Sequence, residues 1–151
     1  MPKKTKDITY YEAVGRRRES SARVRFYIVS KKDKTVSVNG AILKQGSITI
    51  NEKSSESYFP AEFEKNILMK PLVLTDSADR FVISVHVMGG GKNGQLEAIV
   101  HGISRALCIV DVGNRAILKK EGLLTRDSRI RERRKVGKGG KARRKKQSPK
   151  R

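Results

Sequence analysis

The sequence has a single cysteine, Cys108, and is short of acid, with 15 Asp+Glu against 35 Lys+Arg. One thiol excludes an intramolecular disulfide and leaves no CxxC pair for a metal. No stretch approaches the roughly 18 apolar residues that a membrane-crossing helix requires, so no membrane partner is expected. Met1-Pro2-Lys3-Lys4 leads into no apolar run of the secretory kind, which points to a cytoplasmic address. His86 and His101 have no Cys or His at ligand spacing, and Ser20 and Ser21 have no local base. Glu62 and Glu64 read as helix-end charges. No catalytic site, metal or cofactor is therefore expected.

What is present is positive charge, unevenly placed. Of the formal net charge of +20, the 26 residues Arg126 to Arg151 hold 14 basic and 2 acidic side chains, a net of +12. The first 125 residues hold 21 basic and 13 acidic, a net of +8. A chain of 151 residues suits one domain. Its body is long enough for one modest core. Such a surface concentrates anionic partners, of which nucleic acid is the usual one.

Ala22, Val24, Phe26 and Ile28 alternate with Arg23, Arg25 and Tyr27, the pattern of a half-buried strand with a basic outer face. Tyr10 to Val14 is a candidate partner, joined through a loop from Gly15 to Ser20. Thr35 to Val38 and a short edge within Gly46 to Ile50 follow, with a turn at Asn39-Gly40. A helix is expected from Pro60 to Pro71, with Phe63 and Ile67 sharing a face and Pro71 as the stop. Phe81 to Val87 is the clearest strand. Leu96, Ile99, Val100, Ile103, Leu107 and Val110 recur at helical spacing, with Asn93 as N-cap and Glu97 near the positive end. Gly102 inside that helix marks a close backbone approach, and Cys108 reads as a buried thiol. A last helix, Arg115 to Glu121, follows Asn114 and ends at Gly122.

Gly89, Gly91 and Gly94 satisfy GxGxxG after a strand and before a helix, with Asp111 17 residues beyond. A dinucleotide fold also needs a second parallel strand ending near that acid. Here Asp111 leads to Val112-Gly113-Asn114 and a short helix. Two readings fit: a tight turn, or a turn whose amides and Lys92 meet an RNA phosphate.

Beyond Leu124 the apolar pattern ends, and Gly137, Gly139 and Gly140 interrupt any helix. Too little apolar surface is available there to offset the entropy of ordering. The tail also lacks aromatics, so phosphate and shape recognition of folded RNA fits better than base stacking. If about 7 of its cations met phosphates, affinity would fall roughly 10³-fold or more between 50 and 200 mM salt.

Ordered strings along nearly the whole chain resemble one family, that of the ninth protein of the small ribosomal subunit in its bacterial or organellar form. They are GRRRESSARVRFY (Gly15–Tyr27), VSVNG (Val36–Gly40), YFP (Tyr58–Pro60), GGGKNGQLEAIVHGISRAL (Gly89–Leu107), LKKEGLLTRDSRIRERRKVG (Leu118–Gly137) and KARRKKQSPKR (Lys141–Arg151). The resemblance implies an α+β single domain whose mixed, mostly antiparallel four-stranded sheet is covered by helices on one face. The expected division is a body over 1–123 and an extended basic tail over 124–151. The implied place is the small-subunit head, against ribosomal RNA and neighbouring ribosomal proteins. Arg16, Arg17 and Arg18 match the family's basic loop. Arg126, Arg129, Arg133, Arg134 and Lys135 match its tail. Lys150 and Arg151 match the terminal pair that touches peptidyl-site transfer RNA. Ser148 and Pro149 depart from the aromatic and serine usual before that pair, and Leu96 stands where a smaller residue is common.

Charge adds Arg23, Arg25, Lys92, Arg131, Lys138, Lys141, Arg143, Arg144, Lys145 and Lys146 to the candidate ribosomal-RNA ligands. The rival readings are a non-specific DNA-compacting protein and a nucleotide-dependent enzyme using the glycine loop.

Overall fold

The structure is a computed structural model that describes residues 2–5, 8–29, 35–38 and 40–133. Its centre is a long antiparallel hairpin, β2 (Ile8–Arg17) and β3 (Ser20–Ile28), closed by only two residues, Arg18 and Glu19. β8 (Phe81–Met88) pairs antiparallel with the far side of β3, and β6 (Ile48–Ile50) lies parallel to β8. Two short edges, β1 (Lys3–Thr5) beside β2 and β7 (Lys53–Ser54) beside β6, complete a sheet in the order β1-β2-β3-β8-β6-β7. The sheet is mixed and mostly antiparallel as expected, but among the described residues it has six strands rather than four. Edges of two and three residues are too short to display a two-residue period, which is why the pattern missed them. The expected strand at Thr35–Val38 (β4) stays out of this sheet and pairs with β5 (Ala41–Lys44). Gly40, at φ +82°, supplies the left-handed geometry of their turn; Asn39 lies outside the described residues.

Alternation sends opposite sets of side chains to the two faces. Ala13, Ala22, Val24, Phe26, Ile48, Ile50, Phe81, Ile83, Val85 and Val87 point to the helices and form the sheet side of the main core. α3 (Lys92–Val110) lies across β2 and β3, with α2 (Glu62–Leu74) and α4 (Asn114–Lys120) packed beside it. Among the described residues the helices sit on one face, in keeping with the expected layering. The other face carries a small cluster of Tyr10, Tyr27, Val82 and Val38, closed by the β4–β5 hairpin through Val36 and Leu43.

Several local expectations are corrected. The expected loop from Gly15 to Ser20 is mostly strand: Gly15, Arg16 and Arg17 continue β2. Gly15 breaks nothing because it lets α3 approach. A Cβ built there would lie 2.9 Å from Gly102 Cα and closer still to the Ala98 carbonyl. Gly102 faces it across the contact, so the close approach read from Gly102 is real. Pro71 does not end α2. It is buried in the last turn, its ring joins the packed side of the helix, and the helix runs on to Leu74. That packed side is Glu64, Leu68, Pro71 and Leu72, which turns the expected Phe63–Ile67 face outward. The N-cap of α2 is Ala61, one residue past Pro60. Ser54 caps a short additional helix, α1 (Ser55–Tyr58), by accepting from the Ser57 N–H at 3.2 Å. α3 starts at Lys92 with Gly91 as its cap, because Gly89 and Gly90 take up the turn at positive φ. Asn93 therefore sits inside the helix, and Glu97 lies beyond its first turn. Asn114 begins α4 rather than preceding it, and Gly122 follows at φ +72°. Leu96 is buried in the core, while Cys108 is half-buried.

Candidate nucleic-acid interface

The strand register sorts the arginines that the sequence places together. Directly paired residues share a face, so the outer face carries the rows Glu12–Arg25–Ser84, Val14–Arg23–His86 and Arg16–Ser21–Met88. Arg16, Arg23 and His86 are exposed there, on the side away from the helices. Arg25 is only half-exposed. Its Nε donates to Glu12 Oε2 at 2.9 Å, and its guanidinium lies 5.0 Å from the centre of the Tyr10 ring. Arg23, Arg25, Ser84 and His86 line a shallow hollow with Asn51 and Glu52. The outer face is thus a polar strip in which Arg16 and Arg23 present charge to solvent and Arg25 is held flat.

Arg17 goes the other way. One step along β2 from Arg16, it points to the helix side, where only 9 % of its side chain is exposed. Its Nε bonds Glu97 on α3, one terminal nitrogen meets Asp127 Oδ2 at 2.9 Å, and the other donates to the Arg129 carbonyl at 3.1 Å. Arg17 therefore ties the segment after α4 to the hairpin end. Arg129 also folds back on Asp127: its Nε donates to Oδ2 at 3.0 Å and its backbone N–H to Oδ1 at 2.9 Å. Hydrogen bonds from the Arg129 guanidinium, then from its backbone N–H, hold the Asp127 carboxyl well below the ordinary carboxylate range; Arg17 adds to this. Just before this clasp, Leu123 and Leu124 pack against the main core.

The hairpin tip, the glycine loop and the start of α3 enclose an open concavity. Arg18, Lys92 and Arg131 stand around it with Glu19, Gly91 and Asn93. The glycines have a packing duty. Ser20 Oγ donates to the Gly89 carbonyl at 3.1 Å, and a Cβ at Gly94 would lie 2.9 Å from the same Ser20 oxygen. Gln95 Nε2 donates to Gly89 as well, and Tyr58 OH donates to Gln95 Oε1 at 2.7 Å. The loop is bare so that the β2–β3 turn can sit against it. Asp111 caps α3 and leads into α4, and no second parallel strand follows it among the described residues. The GxGxxG spacing is here a strand-to-helix turn.

Arg126, Arg129, Arg131 and Arg133 are exposed along the first part of the tail. Arg134, Lys135, Lys138, Lys141, Arg143, Arg144, Lys145, Lys146, Lys150 and Arg151 lie outside the described residues, as do Ser148 and Pro149. Among the described residues no group of three His, Cys, Asp or Glu could hold a metal ion, and no helix is long and apolar enough to cross a membrane. Sequence reasoning missed Glu97 and Asp127 as partners of Arg17. They stand 80 and 110 positions away, and no local signal joins them. His86 was recoverable in principle, since the alternation of β8 already sends it to the face opposite Phe81 and Val85.

The molecule so described is a small basic α+β protein with an arginine-bearing sheet face and a basic C-terminal tail. The model of the family described as ribosomal protein S9/S16 matches residues 15–151. "Small ribosomal subunit protein uS9" of Desulfovibrio desulfuricans is 46% identical over 123 residues, covering 82% of this chain and 83% of that protein. The proteins of the same name from Solidesulfovibrio magneticus and Maridesulfovibrio salexigens are each 44% identical. They cover 87% and 90% of this chain and 89% and 92% of their own lengths. The chain belongs to the ribosomal protein S9/S16 family, whose members are structural proteins of the ribosome and not enzymes.

Proposed function

We propose that the chain is a structural constituent of the small ribosomal subunit and sits in its head. Its body and tail fix folded ribosomal RNA, and its tip contacts peptidyl-site transfer RNA. The observation that carries this reading is the family match, whose bounds, Gly15 to Arg151, take in body, tail and terminal pair. The geometry supports a division of labour. Arg16 and Arg23 on the outer sheet face, and Arg18, Lys92 and Arg131 around the glycine loop, present cations for phosphates. Arg25 stiffens the strip, and Arg17 anchors the tail. From Arg126 to Lys146 the tail, fastened at its start by Arg17, orders on RNA, whose phosphates relieve its self-repulsion.

Two measurements test the reading. Sedimentation of small subunits at moderate salt should carry the chain with them; a free pool with no subunit association would refute it. At equal salt, small-subunit RNA should bind more tightly than duplex DNA, and a DNA preference would favour a compacting protein instead. For the tip, deleting Lys150 and Arg151 should leave assembly intact and weaken transfer RNA retention in the peptidyl site. Unchanged retention would remove that role.

A further inference from the structure

In a protein with a net charge of +20, the carboxylates are not scattered. Between Asn51 and Asp79 stand six of them, Glu52, Glu56, Glu62, Glu64, Asp76 and Asp79, against three lysines, Lys53, Lys65 and Lys70. This stretch is net −3, which leaves +23 on the rest of the chain. α2 lies at its middle. At 100° per residue, the side of α2 opposite Leu68, Pro71 and Leu72 carries Glu62, Phe63, Asn66, Lys70 and Val73, with Ile67 on its flank. Phe63 is 60% exposed, Ile67 43% and Val73 61%, so an aromatic ring and two branched aliphatics on one helix face water. Lys70, the one cation on this face, is already paired with Glu121 on α4 at 3.0 Å. Val73 continues into a groove that Gln45, Asp76, Ala78 and Asp79 line with Arg80.

The exposed carboxylates here, Glu62, Asp76 and Asp79, offer phosphate nothing, and exposed apolar side chains beside them gain nothing from a polyanion. Exposed large apolar side chains with carboxylates among them are the character of a protein-binding face. We propose that the outer face of α2 docks a basic segment of a neighbouring protein. Apolar side chains of that segment cover Phe63, Ile67 and Val73, while its Lys or Arg residues meet Glu62, Asp76 and Asp79. Charge complementarity selects such a partner and steers its approach, and burial of the Phe63 ring anchors it. The inference rests on residence of the chain in a ribonucleoprotein particle, where basic protein segments are at hand. It assigns opposite duties to opposite sides of the molecule: RNA on the arginine-bearing sheet face, protein on α2.

The test places a photo-crosslinking phenylalanine analogue at position 63 of the full chain, in small subunits isolated from cells. Sedimentation first establishes that the labelled chain is in the particle. Crosslinking to one discrete basic protein is the expected result. Crosslinking to RNA, to a second copy of this chain, or to nothing would overturn the docking face while leaving the particle reading intact. Absence of the chain from the particle would overturn both. A second variant, Phe63→Glu with Ile67→Glu, alters exposed positions only. It should keep the parent circular dichroism and RNA affinity and reduce occupancy of the crosslinked partner about tenfold, equivalent to about 1.4 kcal/mol. Unchanged occupancy would count against the proposal.

Discussion

Gly15→Ala tests the tightest joint in the molecule, the contact of β2 with α3. The new Cβ would stand 2.9 Å from Gly102 Cα, 0.5 Å inside the ordinary 3.4 Å limit, and nearer still to the Ala98 carbonyl and the Gly102 nitrogen. All three obstacles are backbone, so no rotamer change relieves them and α3 itself must withdraw. That helix buries Leu96, Ala98, Ile99, Val100, Ile103, Ala106 and Leu107, and lifting it loosens the main core. Overpacking of this kind costs about 1–3 kcal/mol, and backbone obstacles put Gly15→Ala at or above the upper end. The lower entropy of alanine in the unfolded chain offsets no more than about 1 kcal/mol. The net loss of about 2–3 kcal/mol is a large fraction of the roughly 5–15 kcal/mol that holds a domain together. Urea unfolding followed by far-ultraviolet circular dichroism would read it as a lower midpoint at unchanged slope.

Gly102→Ala separates the two effects. Helix propensity favours the alanine by about 1 kcal/mol, but its Cβ would lie 2.6 Å from Val24 Cγ2 and 3.2 Å from Gly15 nitrogen. The clash should win in the parent, and pairing the change with Val24→Ala should recover part of the loss as non-additivity. If Gly15→Ala left stability within about 0.5 kcal/mol of the parent, the close approach that organises this fold would be refuted.

Arg17→Gln should release the clasp, so that limited trypsin cuts after Arg126 and Arg129 sooner while the melting temperature of the body changes little; unaltered cleavage would mean that Arg17 does not hold the tail. Asp127→Asn should act alike. Burial, with Arg105 adding repulsion, lowers the His101 pKa from its ordinary 6.5. The unfolded chain then takes up a proton before the folded one does, so stability should fall as pH drops through 6.5 and level off below the folded value. His101→Gln should flatten that limb of a pH series of urea midpoints, and an unchanged limb would assign it elsewhere. Truncation after Arg133 removes ten cations, and the slope of log affinity against log salt for small-subunit RNA should become shallower by about 0.7 for each phosphate that those cations neutralise. An unaltered slope would show that the body alone carries the binding.

Much of the architecture was legible because it repeats locally. β3, β8 and α3 are long enough for a period of 2 or 3.6 to stand out, and the bulk of the tail's charge is a matter of composition. Periodicity also supplied two faces for every element, but not the choice between them. On α2 it grouped Phe63 with Ile67 correctly, yet packing against α3 buried Leu68, Pro71 and Leu72 and left that pair in water. At Arg16 and Arg17 a difference of one position becomes opposite sides of a sheet once the turn is known to be two residues and not a six-residue loop. Arg16 then faces solvent, and Arg17 meets Glu97 and Asp127 from distant parts of the chain. The sequence by itself determined which elements form and where the charge lies, since both depend on neighbouring residues. Only the tertiary structure decided which arginines face outward, which one fastens the tail, and which apolar side chains stay uncovered, because those outcomes depend on what packs against each face.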